Sequence, residues 1–409
     1  MNIFTTIAQF ICMGFSYILI TFLIYFIFII IISMFKNKEI KNTDKKLKYA
    51  VLLPARNEEK CINNIINSIK NQSYPSNLID IYVLPNNCTD NTENVVKKLG
   101  VNIIEMPKDI KSKGKAIGYA INLLLSKDYD AFLVFDADNK TNKDFILEIN
   151  KAFANGADIV KSKIFAQDND KSVISSFYDI HFCIANRLIN KPRHNLGIAT
   201  RIIGTGFGMS TNFLKSENGF NVDTLTEDVE FYVRYATKGV KSVFVEKAIV
   251  YDEEPNNFAT TLIQRKRWMS GIMQVFIYKL KDIFKGMKTL KSFANSLDVF
   301  VQLCFSYLQA YIPFVLILST ITYKSFYINN IIEILLNTYL IISIVAIFVL
   351  VSEKRFKFNK YIMLSIFLYP LFVFSFIPLQ TISLFKKTKV WREIRHKGEE
   401  IDFQENEYV

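Results

Sequence analysis

Two carboxylates stand one residue apart in "LVFDADNK", Leu133–Lys140, directly after an apolar run. Side chains alternate faces in extended backbone, so Asp136 and Asp138 point the same way if the strand continues through them. Two neighbouring carboxylates repel, and one tends to keep its proton. A divalent cation removes that conflict, and Mg²⁺ or Mn²⁺ favours carboxylate oxygens together with substrate phosphates. The competing reading is an ordinary Asp-rich turn. The elements around the pair decide between the two.

Those elements alternate. "KYAVLLP", "IDIYVLP", "VNIIEM", "DAFLVF" and "ADIVKSKIF" read as strands. "EEKCINNIINSIKN", "NTENVVKKL", "GKAIGYAINLLLS" and "KDFILEINKAFAN" read as the helices between them, the first with Ile62, Ile65, Ile66 and Ile69 on one face. Alternation of this kind predicts a Rossmann-like α/β domain with a mostly parallel sheet and helices on both faces. Ligands of such sheets sit beyond the carboxyl ends of the strands. "PARNEE", "PNNCTD" and "DADN" all fall at those ends, so three polar loops are expected to share one crevice.

The chain has 409 residues, a net charge of +12 and an apolar half. A basic balance suits nucleic acid or an anionic membrane, and the long apolar runs choose the membrane. No residue from Met1 to Phe35 is charged, and Thr6–Met34 is long enough to cross a bilayer and too unbroken for a signal peptide. Val299–Tyr323, Ile334–Ser352 and Tyr361–Phe385 are further uncharged runs. Six lysines in "KNKEIKNTDKKLK" follow the first run and assign the next domain to the cytoplasm. The basic loop "SEKRFKFNK" and the basic tail then conflict with three full late crossings. One late segment is therefore expected to re-enter or lie in the interface, first Tyr361–Phe385 with Pro370 and Pro378, second Val299–Tyr323. Five scattered cysteines have neither zinc nor redox spacing, and three histidines make a histidine-based metal site unlikely in composition. No internal repeat is present.

"LLPARNEE", "PNNCTDNT", "FDADN", "TEDVEF" and "QRKRW" occur in this order. Together they resemble an inverting, family-2 glycosyltransferase of GT-A fold and membrane-embedded synthase type, whose members make hyaluronan, chitin, cellulose and poly-N-acetylglucosamine. The resemblance covers roughly Tyr49 to Gly271. It implies sugar transfer from a nucleotide-sugar, UDP-GlcNAc or UDP-Glc, to a hydroxyl of a growing polysaccharide. One alternative is single-sugar transfer to a polyprenyl phosphate or glycolipid; another, of a different class, is an inactive membrane scaffold.

The resemblance also implies roles. Asp138 is the main metal-linked carboxylate, and Asp136 contacts metal or nucleoside, with Mg²⁺ or Mn²⁺ as cofactor. Asp228 is the general base, with Glu227 beside it; the same stretch also reads as a helix start capped by Thr226. Glu58 and Asp90 hold the uridine, with Asn86 standing where many relatives carry Asp. Lys115 matches a basic residue near the diphosphate, and equally reads as a solvated lysine. Gly204, Thr205 and Gly206 of "GTGFG" line the acceptor site, against the competing reading of a flexible turn. Gln264, Arg267 and Trp268 come from the interfacial QxxRW segment, Arg267 toward a pyrophosphate and Trp268 under an acceptor sugar. The tail "WREIRHKG" is similar to a segment following the last span in such synthases, or is a lipid-binding tail.

The expected organisation is an N-terminal transmembrane helix over 1–35 and a cytoplasmic GT-A domain over 49–255. Interfacial helices follow over 256–292, then a transmembrane region over 299–385 and a basic tail over 386–409. The expected partners are a nucleotide-sugar, a carbohydrate or lipid-linked acceptor and membrane lipid, with no nucleic acid. Accessory subunits stay open, and the expected location is the plasma membrane.

Overall fold

A computed structural model describes residues 3–255, 257–322 and 328–385. A long apolar helix, α1 (Ile3–Met34), leads into an α/β domain. Its strands are β1 (Tyr49–Ala55), β2 (Ile79–Pro85), β3 (Asn102–Ile103), β4 (Ala131–Val134), β5 (Lys140–Thr141), β6 (Ile159–Ala166), β7 (Phe207–Ser210) and β8 (Ser242–Asp252). Its helices are α2 (Ile62–Lys70), α3 (Thr92–Lys98), α4 (Lys113–Leu124), α5 (Phe145–Ala154), α6 (Val173–Ile184), α7 (Lys191–Leu196), α8 (Thr211–Ser216) and α9 (Glu227–Thr237).

The strands form one sheet in the order β3-β2-β1-β4-β7-β6-β8-β5. β3, β2, β1 and β4 are parallel, as are β6 and β8, whereas β7 runs antiparallel to both β4 and β6 and β5 antiparallel to β8. β4 is buried throughout, as both faces of a helix-covered sheet require. Ile62, Ile65, Ile66 and Ile69 bury the inner face of α2. "VNIIEM" pairs only through Asn102 and Ile103. The strand alternation stops being simple after β6: a helical excursion intervenes before β7 inserts between β4 and β6.

This insertion sets up the site. Because β7 runs against β4, its first residue, Phe207, lies beside the last residue of β4, Val134. The Gly204–Gly206 loop before β7 therefore borders the Asp136 loop after β4. β6 and β8 run the same way as β4, so Asp252 and the acids after it end on the same edge of the sheet.

Six helices follow among the described residues: α10 (Phe258–Gly286), α11 (Phe293–Gln309), α12 (Ile312–Thr322), α13 (Ile328–Ser352), α14 (Lys360–Phe374) and α15 (Phe376–Phe385). Among the described residues, Thr5–Met34, Ile331–Ser352 and Lys360–Phe385 are long and apolar enough to cross a membrane. The sharp bend falls between α11 and α12, at 58°, rather than at the prolines of Tyr361–Phe385. Pro370 sits inside α14, where buried neighbours hold the helix together. The second suspect from the sequence is thus the bent one, and the first is a continuous apolar length. Tyr323, Asn256 and the tail over 386–409 lie outside the described residues.

Buried polar ties join the helical region to the sheet domain. Arg193 on α7 grips Asp298 on α11 with two bonds of 2.8 and 2.9 Å, and Tyr25 of α1, Tyr232 of α9 and Gln302 of α11 close on the same carboxylate. Glu353, just past α13, meets Lys163 of β6 at 2.6 Å, and Arg355 meets Asp179 of α6 at 2.9 Å. Such pairs add little net stability over apolar packing, but losing one partner strands a buried charge at a cost of about 3–5 kcal/mol.

Candidate active site

The loops after β1, β2 and β4, the Gly204 loop, the start of α9, the end of β8 and the face of α10 enclose one cavity of about 1630 Å³. Single small-molecule pockets run about 300–1,000 Å³, so this space is large enough for more than one ligand. Asp138 and Asp228 both line it. So do Glu58, Asn86, Asp136, Gly204, Thr205, Glu227, Gln264, Arg267 and Trp268.

Three of the sequence-derived residues stand elsewhere. Lys115 is exposed and outside the cavity wall, because it points off the first turn of α4, whose backbone Ser112 caps. Lys113, two residues earlier, takes the inward direction. Its Nζ lies 2.5 Å from Asp136 Oδ1 and 3.7 Å from Glu227 Oε1, and donates to Gly204 O at 2.9 Å. Asp90 is not in the wall: its carboxylate holds Glu59 N and Thr92 and so fixes the turn into α3. Gly206 lies behind the wall, where a Cβ would come within 2.7 Å of Val250 Cγ1. Its φ of +61° is a second reason for glycine there.

The Gly204–Gly206 loop is tightly held. Thr205 Oγ1 accepts from Asp136 N at 3.0 Å and donates to Asn139 Oδ1. Gly204 N donates to Asp228 Oδ2 at 2.9 Å, which fixes one carboxylate oxygen. Lys161 of β6, fully buried, donates to Thr205 O at 2.8 Å. Burial pushes this lysine down to about 7, against the raising charges of Asp252 and Asp228. Lys113 keeps its charge: despite burial, Asp136 and then Glu227 hold its pKa above the usual lysine value. Burial raises Glu227, with Lys113 opposing and Asp228 adding to the shift. Both acids start α9, whose free N–H groups favour negative charge there.

On α10, Gln264, Arg267 and Trp268 share one face by their spacing. Gln264 accepts from Tyr178 Oη, and Tyr178 meets Trp268 edge-on at 6.1 Å. Arg265 faces away, buried against Phe372 at 4.1 Å and bonded to Phe372 O and Ser375 Oγ. Within QxxRW, then, one arginine serves the cavity and the residue between ties α10 to α14.

The sequence reading passed over "DEEP", Asp252 to Pro255, which runs from the end of β8 into the cavity. The signal was the same as at Asp136: an apolar strand running directly into acids. Burial and then Asp136 push Asp252 up to about 7. Burial and then Asp252 and Asp138 raise Glu254 well above the carboxylate range. Among the described residues no three His, Cys, Asp or Glu side chains converge closely enough to enclose an ion. The donor set is nonetheless all oxygen and electrostatically crowded, which fits Mg²⁺ or Mn²⁺ held by one or two carboxylates and completed by substrate phosphates.

A mixed α/β sheet with an acid-rich cleft at the strand ends and apolar helices beside it defines a GT-A-type glycosyltransferase domain joined to membrane-compatible helices. The chain belongs to glycosyl transferase family group 2, whose model matches residues 131–377. It is 26% identical over 256 residues to the probable glycosyltransferase YdaM of Bacillus subtilis (strain 168), covering 60% of each chain. It is 24% identical over 295 residues to a probable glycosyltransferase of Sulfolobus acidocaldarius, covering 69% of this chain and 62% of that one. The chain thus spans about three fifths of the length of these curated relatives. Among solved structures, the mannosyltransferase PcManGT of Pyrobaculum calidifontis, in complex with GDP-mannose and Mn²⁺, is similar with a TM-score of 0.59 at 14% identity. The match covers 93% of this chain and 100% of that one. At that identity the likeness concerns the fold.

Proposed function

We propose that this protein moves a sugar from a nucleoside diphospho-sugar, UDP-GlcNAc or UDP-Glc, to an acceptor hydroxyl at a membrane surface, with inversion at the anomeric carbon. The observation that carries the reading is the single cavity shared by Asp136, Asp138, Glu227, Asp228 and Arg267. Glu58 and Asn86 would hold the nucleoside, beyond β1 and β2. Asp138 and Asp136 would hold Mg²⁺ or Mn²⁺. The cation, when bound, supplies neutralisation of the charge that grows on the leaving diphosphate. The PcManGT complex with Mn²⁺ agrees with that choice of metal.

The protein's own groups do the rest. Arg267 adds a fixed positive charge for the diphosphate. Asp228, oriented by Gly204 N–H, takes the proton of the acceptor hydroxyl as that oxygen attacks the anomeric carbon. The bond from that carbon to the phosphate oxygen breaks on the opposite side, and the nucleoside diphosphate leaves. Trp268 and Gln264 would seat the acceptor. The catalytic domain is read as cytoplasmic, from the lysines after α1.

Of the two acceptor classes the sequence left open, the cavity favours the lipid-linked one. On the side of the helices its wall includes Leu19, Leu23 and Phe26 of α1 and Ile341, Ile342 and Val345 of α13, beside Gln302, Ser306 and Gln309 of α11 and Gln380 of α15. The apolar strip of α1 and α13 within that wall suits an alkyl chain.

The test is a screen of nucleotide-sugars, GDP-mannose included, for Mg²⁺- or Mn²⁺-dependent turnover in nanodiscs, with product mass read directly. Asp228→Asn is expected to lower turnover by roughly 10²–10⁴-fold while donor affinity persists. Undiminished turnover in that variant would remove Asp228 as the base.

A further inference from the structure

Arg201, in the segment between α7 and β7, lines the cavity and takes no part in the transfer just described. Its Nε is buried with no hydrogen-bond partner among the described residues. Its backbone N is tied to Asn190 Oδ1 at 2.7 Å, so the residue is firmly placed. Burial works against its charge, and Asp228 is the carboxylate that does most to sustain it. His181 in the same cavity adds no second positive charge: burial and then Arg201 push it down to about 4, so it is neutral at cellular pH. Arg193, by contrast, is fully taken up by Asp298.

A buried guanidinium with open donors calls for an anionic ligand, and phosphate is the best geometric match. The donor's diphosphate is accounted for by the Asp136–Asp138 end and Arg267. A second phosphate, carried by the acceptor, is the ligand that would meet Arg201. The acceptor cannot be a bare lipid phosphate, however. An ionised phosphate oxygen is already a nucleophile and has no proton for Asp228 to remove, so a base is of use only when the attacking group is a hydroxyl.

Resting on the glycosyltransfer reading above, we propose that the acceptor is a lipid whose sugar headgroup is joined to an alkyl chain through phosphate or diphosphate. Its chain lies along α1 and α13, its phosphate meets Arg201, and a sugar hydroxyl faces Asp228. In the transfer, the hydroxyl O–H bond breaks with the proton passing to Asp228. The new glycosidic C–O bond forms as the bond from the anomeric carbon to the donor's phosphate oxygen breaks and the nucleoside diphosphate leaves, and the phosphate linkage to the lipid is untouched.

The experiment uses the full chain in nanodiscs with the donor identified by the screen. Three acceptors are compared: polyisoprenyl diphosphate-linked N-acetylglucosamine, glucosyl-diacylglycerol, and a soluble chito-oligosaccharide. Lipid product and free nucleoside diphosphate are measured separately. The expected result is a kcat/KM at least tenfold higher for the diphosphate-linked lipid. Arg201→Gln is expected to raise the KM of that acceptor by ten- to a hundredfold and to leave the preference between acceptors largely abolished. Arg201→Lys, which retains the charge, should recover part of it. Equal use of the neutral glycolipid or the soluble sugar overturns the proposal, as does an Arg201→Gln effect of the same size on all three. Donor consumption with no lipid product sinks this inference alone. No donor consumption under any condition sinks the glycosyltransfer reading beneath it.

Discussion

At the scale of single residues, the site is organised by two lysines that bond consecutive carbonyls of one loop, Lys113 to Gly204 O and Lys161 to Thr205 O. The loop they hold presents Gly204 N to Asp228, so the carboxylate proposed as the base is held by backbone. Lys113→Met would leave Asp136 and Glu227 without their shared counter-charge. We expect it to lower kcat/KM by about a hundredfold or more, against less than about threefold for Lys115→Met; initial rates on purified variants check this. Equal effects would return the diphosphate role to Lys115. Lys161 gives a pH prediction. Its pKa is 10.5 for the ordinary side chain and about 7 in the fold. Between those values the unfolded chain binds the extra proton, so this group makes stability rise with pH across that window. Lys161→Met removes the slope. Wild type should gain roughly 3–5 kcal/mol on the variant from pH 7 to 10.5. Thermal midpoints of both proteins along that range test it, and parallel curves would refute it.

At the scale of elements, α10 lies against α9, which carries the proposed base, through Gly271. A Cβ at Gly271 would collide with Thr226, the residue before Glu227 and Asp228. The close approach presents Gln264, Arg267 and Trp268 to the same cavity as the acids, while Arg265 anchors the helix to α14. Gly271→Val is expected to push α10 off the start of α9, with a loss of about 1–3 kcal/mol in stability and a larger loss of turnover. A thermal shift assay beside initial rates checks it; unchanged values would mean that the helices adjust freely. The antiparallel strand β7 matters in the same way. Without it, the glycine loop would have no reason to lie beside Asp136.

At the scale of the whole molecule, the cavity is half polar loop and half apolar helix, so sheet domain and membrane-compatible helices make one site. The crowded acids at its polar end lead to a prediction on metal. Adding UDP alone should raise the melting temperature little, because in the proposed pose its phosphates would face Asp136, Asp138, Asp252 and Glu254. UDP with Mn²⁺ or Mg²⁺ should raise it by several degrees, and EDTA should reverse the shift. Stabilisation by UDP that is indifferent to EDTA would argue against a metal-held diphosphate.

Much of this was legible in the chain. Buried strands, the amphipathic α2, the acids at strand ends and the apolar lengths follow from local patterning, and local patterning is what hydrophobic periodicity records. Family motifs then supplied Asp138, Asp228 and Trp268 as neighbours of one cleft. The inward turn of Lys113 instead of Lys115, the retreat of Asp90 and Gly206 behind the wall, and the carbonyl held by Lys161 depended on how distant segments pack. So did the unpartnered Arg201 and the bend between α11 and α12. Side-chain direction at a helix start and the partners of a buried charge are set by contacts across the fold, and no spacing along the sequence encodes them.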